Sequence, residues 1–242
     1  KSTFLSILTG AQDCTDGTIS VDGVDLRSVP SGALQLFRRK VGMVFQDYKL
    51  LQNRTVRENI AFPLEVIGAS DAEIETRVNE LLQRMELAAR ADALPWELSG
   101  GEKARTAIAR AIVHKPLIIL ADEPTGNLDP AQAVDVMNLF QQIHASGATV
   151  IIATHDASLV NNMQPRVLTL ERGRLVRDSV GGYGQNAEVQ QRHNVFQEQE
   201  STVIAPHEEP AAIAVAATPT PEPEPQTTVT VDAVETTEAA PA

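Results

Sequence analysis

The sequence predicts an α/β domain built on a mainly parallel sheet. Three observations carry that prediction. Apolar runs of strand length alternate with longer stretches of helical spacing. Two of those runs, residues 117–121 and 149–153, are nearly continuous in apolar side chains, as strands covered on both faces are. One stretch, about 47–97, breaks the alternation with two successive helical patterns, which points to an inserted helical subdomain.

In chain order, residues 2–8 read as the start of a helix, and 18–21 and 41–45 as strands. Helical spacing then covers 55–67 and 70–85; the second opens Ser70-Asp71-Ala72-Glu73, a pattern in which Ser70 and Glu73 would satisfy free N–H groups reciprocally. Pro95 punctuates the chain before an Ala- and Arg-rich helix at 102–113. The strand at 117–121 is bounded by Pro116 and Asp122. A helix at 131–143, the strand at 149–153 and a hairpin of 167–170 with 175–176 around Gly173 complete the series. This divides the chain into a core of 1–46 and 98–182, a helical subdomain of 47–97, and a tail of 183–242. Half of the 14 prolines lie in the tail, alternating with glutamate at 221–225. Such a composition buries too little apolar surface to offset its ordering entropy, so the tail is expected to be disordered.

Composition narrows the function. The net charge is −12, but residues 187–242 hold ten carboxylates against Arg192 alone and account for −9 of it. No basic excess is left to neutralise phosphates, which argues against a nucleic-acid partner. Cys14 is the only cysteine, so no intrachain disulfide can form, in keeping with a reducing cytosol. No apolar run approaches the ~20 residues that span a bilayer, so membrane association would require a partner. The chain opens at Lys1, without an initiator Met and within a motif; we therefore expect a truncated N-terminus.

Six groups of residues carry chemistry. Lys1-Ser2-Thr3 opens a helix, as the end of a phosphate-binding loop does, where Lys reaches the phosphates and a Ser hydroxyl binds Mg²⁺; without the loop glycines the tripeptide by itself equally fits a chance run. Leu98-Ser99-Gly100-Gly101-Glu102 runs into a helix whose N-terminal N–H groups and dipole favour an anion; the same residues also fit an ordinary capping box. The apolar run at 117–121 ends in Asp122-Glu123. It thus delivers two carboxylates to a sheet edge, one suited to hold Mg²⁺ and the next to polarise water as a general base. Gly126-Asn127-Leu128-Asp129 reads as a turn with Asp129 as N-cap and Pro130 at the first helical position. His155 follows the strand at 149–153, and Gln46 follows the strand at 41–45.

In this order and spacing the groups resemble the signature, Asp-Glu strand end, D-loop, switch histidine and Q-loop of ABC-type ATPases, over about residues 1–180. The resemblance implies a P-loop NTPase fold that binds and hydrolyses ATP with Mg²⁺. It implies that Lys1, Ser2 and Thr3 hold phosphates, and that Ser2, Gln46 and Asp122 serve the metal. Glu123 would be the general base, with His155 on the γ-phosphate. Ser99, Gly100, Gly101 and Asp129 would reach the ATP of a second subunit in a homodimer. Lys103 departs from the family's usual Gln. The runs 46–51, 55–59, 121–129 and 167–170 are further similar to the FtsE-type cell-division branch. That likeness implies an integral-membrane, FtsX-like partner at the cytoplasmic face of the plasma membrane, and regulation of cell-wall hydrolysis. The tail would be a solvated extension or a docking segment for other division proteins. The alternative is the ATPase of a lipoprotein-release or macrolide-export transporter. Without the loop glycines, residues 1–242 alone are expected to bind ATP weakly.

Overall fold

The computed structural model describes residues 1–182 and the strand at 211–216. Its elements are α1 (Ser2–Leu8), β1 (Ser20–Val21), β2 (Val24–Asp25), α2 (Ser31–Arg38), β3 (Val41–Val44), α3 (Val56–Ile67) and α4 (Asp71–Arg84). There follow α5 (Gly100–Ile112), β4 (Ile118–Asp122), α6 (Pro130–Ala145), β5 (Thr149–Thr154), α7 (Ala157–Met163), β6 (Arg166–Glu171), β7 (Arg174–Val180) and β8 (Ala211–Ala216).

β1 and β2 form a two-stranded ribbon, and the other strands form one sheet in the order β3-β4-β5-β8-β6-β7. β3, β4 and β5 are parallel, with Val44 beside Ala121 and Asp122 beside Ala153. Their carboxyl ends therefore finish at one edge, where open α/β sheets bind ligands. β8 lies antiparallel between β5 and β6, with Ala214 beside both Ile152 and Val167. These six residues depart from the disordered tail expected over 183–242: Ala-Ala-Ile-Ala-Val-Ala has neither Pro nor charge and can complete a sheet. The rest of that expected tail lies outside the described residues.

Side chains of the parallel strands alternate between two cores. Ile119, Ala121, Val150 and Ile152 join a core with α5 and α6, while Leu120 and Ala153 meet Leu5 of α1 and Phe37 of α2. Helices thus cover both faces, which is why these strands read as continuous apolar runs. The first core continues without a break into α3 and α4 through Ile60, Leu64, Val78 and Leu82, packed with Ile108. Burial of each such aliphatic side chain contributes about 1.5–3 kcal/mol, so the helical insert is held to α5 by a shared core.

α5 lies directly on β3. A Cβ at Gly42 would come 2.2 Å from the Ala111 carbonyl oxygen, so the approach requires glycine. Local signals set the helix starts. Thr55 and Glu58 form a reciprocal capping box at α3, and Ser99 and Glu102 do so at α5. The box expected at α4 has one arm, with Ser70 accepting from the Glu73 N–H at 3.4 Å.

Candidate active site

β4 is buried at its centre and leads into a pair of half-buried carboxylates, Asp122 and Glu123. Glu123 donates its N–H to the Ala153 carbonyl of β5 at 2.8 Å and turns the chain with φ 47°. That left-handed conformation is costly for a side chain of this size and aims the carboxylate away from the strand direction. The Glu123 side chain is only 12% exposed and is held from two sides. Lys1 Nζ donates to Oε1, and His155 Nδ1 lies 2.9 Å from Oε2. Burial works to raise the carboxyl's pKa, but the hydrogen bonds and charges of Lys1 and His155 outweigh it and hold it below the ordinary value. An ionised carboxylate only accepts, so the His155 proton in this contact sits on Nδ1. His155 itself stands between a buried strand end and a capped helix: Asp156 accepts from the N–H groups of Ser158 at 2.9 Å and Leu159 at 3.1 Å.

Asp122 ends β4 one residue earlier. Its Oδ1 is buried and has no hydrogen-bond partner among the described residues. A buried, unpartnered carboxylate oxygen is costly unless something positive meets it. This oxygen therefore fits a divalent cation of the Mg²⁺ type, which takes one or two carboxylates and completes its shell with water and phosphate. Ser2 and Thr3 begin α1 and are exposed beside Lys1.

Gln46 follows β3 and is exposed. Its carbonyl accepts from Asn127 Nδ2 at 3.1 Å, tying the loop after β3 to the loop after β4. Asn127 lies within the motif 126–129, yet the spacing of that motif does not announce a bond to a backbone carbonyl 81 positions away. Asn59 was equally hidden: its buried amide accepts from the Leu51 N–H and donates to the carbonyls of Leu51, Arg54 and Thr55, fastening the loop beyond Gln46 to α3.

Ser99, Gly100, Gly101 and Asp129 gather at a second locus. The Ser99 hydroxyl accepts from the Glu102 N–H at 3.3 Å, and the Glu102 carboxylate accepts from the Ser99 N–H at 2.8 Å. The glycines let the start of α6 approach: added Cβ atoms would stand 3.1 Å from Leu128 Cδ2 and 3.2 Å from Gln132 Oε1. Asp129 caps α6 through the Gln132 N–H at 2.9 Å. Among the described residues, no hydrogen bond or ion pair joins this locus to Lys1, Glu123 or His155. The structure therefore joins Lys1, Glu123 and His155 as one group and Ser99, Gly100, Gly101 and Asp129 as another, with Gln46 tied through its carbonyl to Asn127.

Comparisons with known proteins agree with this arrangement. The ABC transporter family model matches residues 1–126. The chain is 48% identical over 185 residues to the cell division ATP-binding protein FtsE of Streptococcus pneumoniae, covering 76% of this chain and 80% of that one. It is 47% identical over 185 residues to FtsE of Mycobacterium tuberculosis, covering 76% of this chain and 80% of that one, and 43% identical over 175 residues to FtsE of Escherichia coli, covering 72% and 79%. Among solved structures it resembles the dimeric bacterial ABC transporter cassette MJ0796, with TM-score 0.68, 33% identity and coverage of 76% and 81%. It also resembles the dimeric post-hydrolysis state of MJ0796 bound to ADP and Pi, with TM-score 0.67, 32% identity and the same coverage. From its sheet edge, its paired carboxylates and these relatives, the chain belongs to the ABC transporter family of ATPases, within the FtsE group.

Proposed function

We propose that this ATPase works as a homodimer that closes on two ATP molecules and passes the closure to an FtsX-like membrane protein in cell division. The observation that carries the reading is the Lys1–Glu123–His155 cluster at the carboxyl edge of the parallel strands. In this reading the γ-phosphate draws Lys1 away, and the freed, ionised Glu123 oxygen accepts a proton from the attacking water. His155, steadied through Nδ1, presents Nε2 to the same phosphate. Ser2, Gln46 and the unpartnered Asp122 oxygen would hold Mg²⁺. When bound, the ion neutralises charge on the β- and γ-phosphates.

The second locus serves the other subunit: Ser99, Gly100, Gly101 and Asp129 meet the partner's ATP. Its separation from Glu123 within one chain and the dimeric form of the MJ0796 relatives support this. ATP would then favour the closed dimer through contacts that the open one lacks. The insert at 47–97, which shares its core with α5, would carry the motion to a partner at the cytoplasmic face of the plasma membrane. Among the described residues no helix is long and apolar enough to cross a membrane. The test is a pull-down of the full-length Glu123→Gln protein from membranes with ATP, alongside phosphate release. We expect a loss of turnover of about 100-fold or more, a trapped dimer and recovery of an integral-membrane division protein. Turnover at the normal rate would remove Glu123 from its role, and recovery of an exporter permease would replace division with transport.

A further inference from the structure

We propose that Arg110 is a positioning residue that couples the loop after Gln46 to the signature helix α5. The inference rests on the function proposed above, in which Gln46 and Glu123 serve one ATP and Ser99 meets the partner's. Arg110 lies near the end of α5, the helix that Ser99 caps at its start. Its guanidinium donates through Nη2 to the Tyr48 carbonyl at 2.7 Å and through Nη1 to the Lys49 carbonyl at 2.8 Å. A fork of planar, charged donors fixes the direction of both carbonyls as well as their distance.

The loop it grips is under strain. Tyr48 and Lys49 are consecutive non-glycine residues in the left-handed region, with φ 58° and 42°. The Tyr48 ring is buried and its N–H donates back to the Phe45 carbonyl at 2.9 Å, so the turn is continuous with Gln46. A turn of this kind persists only where its surroundings over-determine it. Arg110, 62 positions away in sequence, is the distant partner among the contacts that hold it; the local ones are the Lys49 N–H on the Asp47 carbonyl at 2.7 Å and Lys49 Nζ 4.9 Å from the centre of the Phe45 ring.

The place of the clamp on α5 gives it leverage. The next residue, Ala111, has its carbonyl seated over Gly42 of β3. α5 is thus anchored on the sheet one residue from the point where it is joined to the Gln46 loop. At 1.5 Å per residue the helix runs on the order of 16 Å from there to Ser99. A small shift of the Tyr48–Lys49 carbonyls on ATP binding is therefore delivered beside the pivot and enlarged at the signature. Without the clamp, ATP can still be bound by Lys1 and its neighbours, but the signature is no longer set for the partner's phosphate.

The experiment measures ATP affinity and turnover of the full-length protein for Arg110→Ala, Arg110→Lys, Lys49→Gly and the double variant Arg110→Ala/Lys49→Gly, with Glu123→Gln in parallel. Gly at position 49 adopts the left-handed turn without cost, so it replaces a clamp that only stabilises the turn. The coupling role predicts that Arg110→Ala lowers kcat by about tenfold or more while Kd for ATP stays within about twofold. It predicts no restoration in the double variant relative to Lys49→Gly alone, and an intermediate rate for Arg110→Lys, which keeps the charge and loses the fork. Normal turnover in both Arg110 variants, restoration by Lys49→Gly, or an equal loss of affinity and rate would each overturn the proposal. If Arg110→Ala does not fold, Arg110→Lys is judged by the same split. Normal turnover of Glu123→Gln would instead overturn the reading on which the inference rests.

Discussion

The two loci of the candidate site are built on opposite plans. At the sheet edge, Glu123 is bonded to Lys1 and His155, which come from elements 122 and 32 positions away. At the start of α5, Ser99 and Glu102 bond to each other across three positions, an arrangement that an isolated helix could make. The first locus exists only when the whole fold brings its members together. The second is self-satisfied and packs its glycines on Leu128 and Gln132 of the same chain. A locus that meets its own polar needs while leaving Ser99 exposed at a helix N-terminus is suited to act on something added from outside. The contrast teaches that half of this site is a product of tertiary structure and half a local motif placed on display.

The largest effect expected from that contrast is complementation between subunits. Glu123→Gln damages the first locus and Ser99→Arg the second. If each ATP is held between the two loci of different chains, both pure variants lose turnover. An equal mixture forms mixed dimers that keep one undamaged site, restoring about a quarter of the normal rate for a two-fold symmetric pair. If the loci served one ATP within one chain, the mixture would stay inactive, and phosphate release by the mixed sample decides between them.

The next effect concerns how the displayed motif is seated. Gly42→Ala places a methyl group on the Ala111 carbonyl, where α5 rests on β3. Overpacking of this kind costs about 1–3 kcal/mol, and the midpoint of thermal or urea unfolding would show it. Ser99→Ala is smaller, since it removes one capping arm at about 1 kcal/mol. Ser70→Ala should cost less than Ser99→Ala, because Ser70 accepts at 3.4 Å and its box has no second arm. Equal losses at the two serines would show that the reciprocal box adds nothing.

The same division between local and tertiary governs what could be read in the sequence. The buried strands β4 and β5 are legible because helices on both faces make their central positions apolar. The Asp129 cap and the Ser99–Glu102 box were legible because their partners lie three residues away. α2 and α7 carry no legible period. Each is short: α2 turns only Leu34 and Phe37 to its core, and α7 turns Leu159, Val160 and Met163 inward within seven residues, too short a run to establish a period. Position in the ABC order drew attention to Lys1, Glu123 and His155, but their mutual bonding was invisible. So was the left-handed φ at Glu123, which depends on the loop between β4 and α6. Arg110 and Asn59 were silent for the same reason: each satisfies backbone carbonyls, and no side-chain spacing records that.

The smallest effect separates the two carboxylates by pH. Glu123 and Glu102 both have pKa values below their ordinary 4.5 in the folded chain. For Glu123, burial opposes the shift and Lys1 and His155 produce it; for Glu102, the Ser99 N–H leads and Arg90 adds to it. A depressed folded value means that each carboxylate contributes stability above its unfolded pKa and loses it as pH falls through the folded one. Comparison of Tm between the parent and Glu123→Gln should therefore show a gap at pH 7 that closes as the medium is made more acid than about pH 4. The gap for Glu102→Gln should be narrower throughout, because glutamine can still accept from the Ser99 N–H in a capping box, whereas at position 123 it loses the charge that holds Lys1. A gap at Glu123 that did not change with pH would mean that the carboxylate is not held ionised by Lys1 and His155, and the tertiary locus would then rest on packing alone.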